Sequence, residues 1–170
     1  EIRRKDIVYN YRYAGGDVTI YKMTGKQLKD YMEWAADYFD TIQPGDTEYR
    51  YNDERAGRKY VTFDIFGGVK YKIDLRNEKG NKITNLMLVN GKKITSEMEL
   101  KVGMNAYRFE QLARKGGIFD GQEIPVLWAS KEAIGEIDGT IQNMMIDYIK
   151  NVKNGIIEGK NHNNWEIIGL

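Results

Sequence analysis

The chain contains no cysteine. That excludes disulfide frameworks, zinc sites built on thiolates and cysteine nucleophiles. It suits the cytosol and, equally, a secreted bacterial protein. Histidine occurs once, as His162 in "EGKNHNNWEI". A metal-dependent hydrolase draws on several His and carboxylate ligands. One histidine does not assemble such a centre, and His162 reads as a surface loop residue. Net charge is also missing: 26 basic and 25 acidic residues leave a formal +1. Proteins that hold duplex nucleic acid neutralise many phosphates and carry a basic excess. Duplex nucleic acid is therefore not an expected partner, while a small nucleotide ligand stays open. No apolar run approaches the roughly 20 residues of a bilayer-crossing helix, so no membrane span is expected. No leader is visible either. The chain begins "EIRRKDIVYN", without Met, and reads as a fragment of something longer.

What is present describes a globular domain. With 170 residues, 41% hydrophobic and 30% charged, the chain is long enough for one domain with a real core. Arg3 to Tyr9 is compatible with a short helix. "VTIYKM" (18–23) alternates as a strand does. Thr24 is a candidate N-cap for "GKQLKDYMEWAADYF", where Leu28, Met32 (or Tyr31), Ala35 and Tyr38 or Phe39 fall at helical spacing before Pro44-Gly45. A charged loop follows over 46–59. "YVTFDIF" and "VKYKIDL" read as strands flanking Gly67-Gly68, and "ITNLMLV" as another that reaches the Asn90-Gly91 turn. "MELKVGMNAY" is a further strand candidate, then "RFEQLARKGG" a short helix closed by glycine. "QEIPVLWAS" reads as extended, "GTIQNMMIDYIKNVKNG" as a helix ending at Gly155, and "NWEIIGL" as a last strand. Helices and strands intersperse without regular βαβ alternation. The fold class expected is α+β, a mixed β-sheet with packed helices.

Two stretches carry candidate chemistry. In "YNYRYAGGDVTI", Tyr9, Tyr11 and Tyr13 alternate, which puts them on one face of an extended segment. They are either a platform for a flat ligand or ordinary strand residues covering a core. In "MNAYRFEQLARKGGIFDG", Tyr107 precedes Gly116-Gly117 and Asp120. Glycines there let backbone approach a ligand, and an acidic group near an aromatic face suits a base edge. A strand-to-helix junction with a glycine cap explains Gly116 as well. Gly67-Gly68 is followed by a strand, so it is a turn or bulge and not a phosphate cradle. The carboxylate pairs Asp37/Asp40 and Glu97/Glu99 are read as solvated faces.

Taken in order, "RKDIVYNYRYAGGDVTIYKMTGKQLKDYMEW", "FDIFGGVKYKID", "KGNKITNLMLVNGKKITSEMELKVGMNAYR" and the final "NWEI" resemble one family. It is the C-terminal domain of bacterial 5′-nucleotidases and 2′,3′-cyclic-nucleotide 2′-phosphodiesterase/3′-nucleotidases. The likeness covers nearly the whole chain. It rests on the order of an aromatic before a strand ending Thr-Gly, then Gly-x-x-Tyr-x-x-Asp, a Gly-Lys hairpin and Asn-x-Tyr-Arg.

The resemblance implies that residues 1–170 form a substrate-recognition domain. An N-terminal metallophosphoesterase domain of the same polypeptide would hold two divalent metal ions and perform hydrolysis. This domain would need no cofactor of its own and would be inactive alone. It would stack a nucleotide or nucleoside base between two aromatic rings. Carried over by position, Tyr13 is the first ring, with Tyr11 as alternative because "RYAGGDVTI" is one residue longer than the family spacing. Tyr107 is the second ring, and Tyr9 falls to the core. Asn105 and Arg108 would fix the Tyr107 loop, Gly117 would belong to the substrate-binding set, and Asp120 would take the base-edge role. The Tyr-Arg pair is closer to the cyclic-phosphodiesterase branch. "FEQLARK" intervenes before the glycine pair, a departure from the family. The family's upstream substrate-binding arginine block would precede Glu1. An extracellular or cell-surface location is implied too. Two other classes of function remain beside this one: a non-catalytic module for carbohydrate or another flat ligand, and a degenerate structural domain.

Overall fold

Thr24 governs the first long helix boundary. Its hydroxyl accepts from Gln27 N at 3.1 Å, and Gln27 Oε1 accepts from Thr24 N at 2.9 Å. This reciprocal pair satisfies amides that a helix start leaves open. The computed structural model describes residues 2–56 and 63–170. In chain order its elements are α1 (Arg4–Asn10), β1 (Val18–Thr24), α2 (Gly25–Ala36), α3 (Asp53–Ala56), β2 (Val69–Asp74) and β3 (Ile83–Leu88). Then come β4 (Glu99–Asn105), α4 (Ala106–Ala113), β5 (Val126–Ala129), α5 (Ser130–Ile134), α6 (Ile141–Asp147), a π-helical turn at Tyr148–Val152 and β6 (Trp165–Ile168). They fall into two compact units, Glu1–Met23 with Leu100–Asn161 and Thr24–Glu99 with His162–Leu170.

In the first unit β1 lies between β4 and β5, antiparallel to β5 with a register irregularity at Ile20/Tyr21. Thr19, Tyr21 and Met23 alternate along β1 and are all buried, as a period of two requires. Tyr21 stacks on Phe109 of α4 with ring centres 3.9 Å apart, and Phe109 neighbours buried Phe119. Ser130, fully buried, donates to Gly139 O at 2.5 Å and accepts from Val18 N at 3.0 Å. One hydroxyl thus ties β1 to the loop before α6. Helix α1 packs on α6.

In the second unit β2 is central, antiparallel to β3 and parallel to β6. The sheet is therefore mixed. Tyr71 of β2 lies beside Trp165 of β6, ring centres 6.5 Å apart. Helix α2 packs against β3 and buries Leu28, Tyr31, Met32 and Ala35. It also buries Glu33, whose carboxylate accepts from Lys82 N at 2.8 Å and Ile83 N at 2.9 Å. Burial pushes the Glu33 pKa up, against the two amides that lower it. Lys82 is buried too: its ammonium donates to Phe39 O at 2.5 Å, and burial lowers its pKa.

The architecture is α+β with a mixed sheet and packed helices, as expected. Several details differ from the sequence reading. Helix α2 stops at Ala36, well before Pro44, because the Tyr38 and Phe39 amides turn back to Ala35 and Ala36 carbonyls. The Phe39 ring is buried against Tyr38, Tyr51 and Phe63. Asp37 is not on a solvated face. It is buried and pairs with Lys79 Nζ at 2.6 Å and Lys82 Nζ at 3.9 Å. The helix expected over 139–155 is shorter as an α-helix, starting from the Thr140 cap and passing into the π-helical turn. Of the strand expected over 60–66, residues 60–62 lie outside the described residues and 63–66 are not in a strand. Helices α3 and α5 had no counterpart in the sequence reading; α3 falls within the charged loop expected over 46–59.

A candidate nucleoside-binding face

Helix α1 ends just before the second tyrosine, where Tyr11 N donates to Ile7 O at 2.9 Å. The three tyrosines consequently do not share one face of an extended segment. Tyr9 lies on the helix and is 73% exposed, with the Arg12 guanidinium 5.2 Å from its ring centre. It is not a core residue, because Ile7 takes the inward position of so short a helix. Tyr11 is half-buried. Its hydroxyl accepts from Asn105 Nδ2, and its carbonyl accepts from Gln142 Nε2 at 2.7 Å. Burial raises the Tyr11 pKa, with the Asn105 bond opposing. Tyr13, 69% exposed, meets Tyr11 edge-on with centres 5.7 Å apart.

The second tyrosine segment begins where β4 passes into α4. Asn105 is the N-cap: its Oδ1 accepts from Tyr107 N at 2.8 Å. Tyr107, in the first turn of α4, is 62% exposed. Arg108, one residue on, is half-buried. The stretch "FEQLARK" that departs from the family is for the most part α4 itself. Leu112 within it and Phe119 beyond it are both buried.

Beyond α4 the backbone folds tightly. Gly117 N donates to Arg114 O at 2.7 Å and Phe119 N to Leu112 O at 2.8 Å. A Cβ on Gly117 would lie 2.2 Å from Leu112 O, so only glycine fits there. The exposed Asp120 turns one carboxylate oxygen to Gly116 N at 2.8 Å, bracing this loop.

All seven sequence-derived residues thus lie in the first unit. Tyr11, Tyr13, Asn105 and Tyr107 are joined by direct contacts, whereas Gly117 and Asp120 build the loop after α4. Two residues that sequence reasoning missed belong with the four. Gln142 reaches Tyr11 from 131 positions away, a distance that no local pattern signals. Gly16 leaves room for the Tyr11 ring, since a Cβ there would sit 2.3 Å from Oη. Its adjacency to the tyrosine run was the available clue. His162 is exposed. Among the described residues no group of three or more His, Cys, Asp or Glu side chains could hold a metal ion. None of the described helices is long and apolar enough to cross a membrane. The arrangement offers flat aromatic faces and oriented amides, which is the chemistry of recognition.

An α+β fold of this kind is shared with solved structures. A Staphylococcus aureus protein assigned as a 5′-nucleotidase, in complex with alpha-ketoglutarate, superposes with a TM-score of 0.73 at 22% identity, over 96% of this chain and 29% of that one. A 5′-nucleotidase precursor from Thermus thermophilus gives 0.63 at 13% identity, over 99% and 28%. The family model for the 5′-nucleotidase C-terminal domain matches residues 1–114, and the chain belongs to that family.

Among characterised relatives, the trifunctional nucleotide phosphoesterase protein YfkN of Bacillus subtilis is 33% identical over 165 residues, covering 88% of this chain. The 2′,3′-cyclic-nucleotide 2′-phosphodiesterase/3′-nucleotidase of Haemophilus influenzae is 25% identical over 168 residues, covering 90%. The chain spans 10% and 24% of the lengths of these two relatives.

Proposed function

We propose that this domain grips the nucleoside part of a nucleotide and presents its phosphate ester to a hydrolytic domain of the same polypeptide. The base stacks between Tyr13 and Tyr107. The observation that carries this reading is the pair of tyrosines, 69% and 62% exposed, on segments joined through Tyr11 and Asn105. Large aromatic faces left in water on ordered supports are suited to a flat ligand. Every base has a π-face, so such a sandwich tolerates different bases. Family membership and the names of the two relatives support a nucleotide as the ligand.

In the full enzyme an N-terminal metallophosphoesterase domain would hold two divalent ions, and these would supply an activated water when bound. The described residues of this chain offer no such centre, and its part is to bind and orient, turning binding energy into position. On this reading the chain alone is expected not to hydrolyse nucleotides. The extracellular location expected from the family fits a nutrient-scavenging hydrolase.

Titration of the chain with adenosine, followed by NMR, tests the reading. Shifts should concentrate at Tyr13 and Tyr107. Replacing either by Ala should weaken binding by roughly 1–3 kcal/mol, the worth of one stacked base. Absence of shifts near both rings would sink it.

A further inference from the structure

Tyr11 differs from its neighbours in what it touches. Its ring meets Tyr13 edge-on at 5.7 Å. Its hydroxyl accepts from Asn105 Nδ2, and the other end of that same amide accepts from Tyr107 N at 2.8 Å. A single phenol–amide pair therefore connects the two segments that carry the exposed rings. The seat of Tyr11 is held from further sides. Gln142, only 8% exposed, donates to the Tyr11 carbonyl at 2.7 Å. Gly16 provides space for the ring, and its own carbonyl accepts from Ile141 N at 2.8 Å.

We infer that Tyr11 is a positioning residue, a clamp that holds the Tyr13 loop and the start of α4 in fixed register so that both rings are preorganised for a flat ligand. This rests on the stacking role proposed above for Tyr13 and Tyr107. The physical reason is entropic. A ligand held between rings on separate segments must order both, and a link formed during folding removes that cost from binding. The identity of residue 105 follows from the same argument. Capping α4 needs only an acceptor, which Ser, Thr or Asp also provides. Accepting from the Tyr107 amide while donating to the phenol, as here, takes an acceptor and a donor on one short side chain, and Asn carries both. The clamp also gives Tyr11 a use other than base stacking.

Two variants of the 170-residue chain separate the clamp from the cap. Tyr11→Phe keeps the ring and loses the hydroxyl. Asn105→Ser keeps a capping oxygen and is too short to reach the phenol. With adenosine as the probe, each should weaken binding about five- to tenfold, the scale of one lost hydrogen bond. The double variant should be no weaker than the poorer single, because the two changes break one link. Tyr11→Phe should also speed hydrogen exchange at the Tyr107 amide while the melting temperature stays within about 3 °C.

Wild-type affinity and wild-type Tyr107 exchange in Tyr11→Phe overturn the clamp, as do additive losses in the double variant. If Tyr13→Ala and Tyr107→Ala leave adenosine binding unchanged, the stacking reading fails instead. The clamp is then decided by Tyr107 exchange: faster in Tyr11→Phe supports it, unchanged refutes it.

Discussion

Replacing Glu33 by Ala tests how the second unit is held together. Glu33 projects from α2 and is 8% exposed. Its two oxygens accept from the main-chain amides of Lys82 and Ile83, at 2.8 and 2.9 Å. Both of those residues are buried, so water is poorly placed to replace the carboxylate. Each buried N–H left without an acceptor costs about 1–3 kcal/mol. Two of them set the expected loss at roughly 2–6 kcal/mol. Glu33→Gln keeps one carbonyl acceptor and turns an NH2 toward the other N–H, so it should lose about half as much. In urea unfolding, a slope of about 2 kcal/mol/M converts a loss of about 3 kcal/mol into a midpoint shift of about 1.5 M.

Amide exchange at Ile83 provides the local readout and should lose protection in the variant. The pH dependence has a definite sign. Burial raises the Glu33 pKa above its ordinary 4.5 in the folded chain. Between 4.5 and that raised value the folded chain binds more protons than the unfolded one. The contribution of Glu33 therefore falls as pH rises through this window, and the slope disappears in Glu33→Ala. Lys82 acts oppositely: its pKa is lowered from 10.5, so its contribution rises with pH within the window below 10.5. A midpoint within about 0.2 M of wild type, with Ile83 still protected, would refute the reasoning, given the slope above.

Three further outcomes follow from the geometry. Gly16→Ala places a Cβ 2.3 Å from the Tyr11 hydroxyl, so the ring must swing away; adenosine affinity measured by calorimetry should drop about fivefold, on the scale of one hydrogen bond. Gly25→Ala sets a Cβ 2.1 Å from the Thr95 carbonyl oxygen, a backbone atom that cannot step aside. Thermal unfolding should register a loss of about 1–3 kcal/mol, the usual cost of overpacking, and an unchanged melting temperature would contradict the packing. The chain supplied with Mn²⁺ or Mg²⁺ should release no phosphate from nucleotides, and robust turnover by a clean preparation would refute its role as a recognition domain.

Local structure was legible where the physics is local. The Thr24-x-x-Gln27 spacing forms a capping box because both partners lie within one helical turn. Leu28, Met32 and Ala35 at helical intervals and the alternation through Val18–Met23 mapped onto buried faces. The sequence places the end of α2 near Pro44, a strong local signal, whereas the chain turns at Tyr38 and Phe39 and the Phe39 ring packs against Tyr51 and Phe63. Local pattern puts Asp37 on a solvated face, yet it is buried. Its partner Lys79 comes from a distant loop, which no periodicity reveals.

Fold family, the α+β class and the two tyrosine segments were all contained in the sequence, since each depends on composition, short-range pattern or the order of blocks. The roles within "YNYRYAGG" were decided only by the fold. Spacing put Tyr9, Tyr11 and Tyr13 on a single face. The end of α1 at Asn10 leaves Tyr9 on the helix and apart from Tyr11 and Tyr13, whose rings meet edge-on. Asn105, 94 residues from Tyr11, then claims the Tyr11 hydroxyl and leaves Tyr13 open to solvent. Likewise β6 pairs in parallel with β2 across a long stretch of intervening chain. Contacts of that separation depend on backbone geometry accumulated through every intervening element, and short-range sequence patterns do not record them.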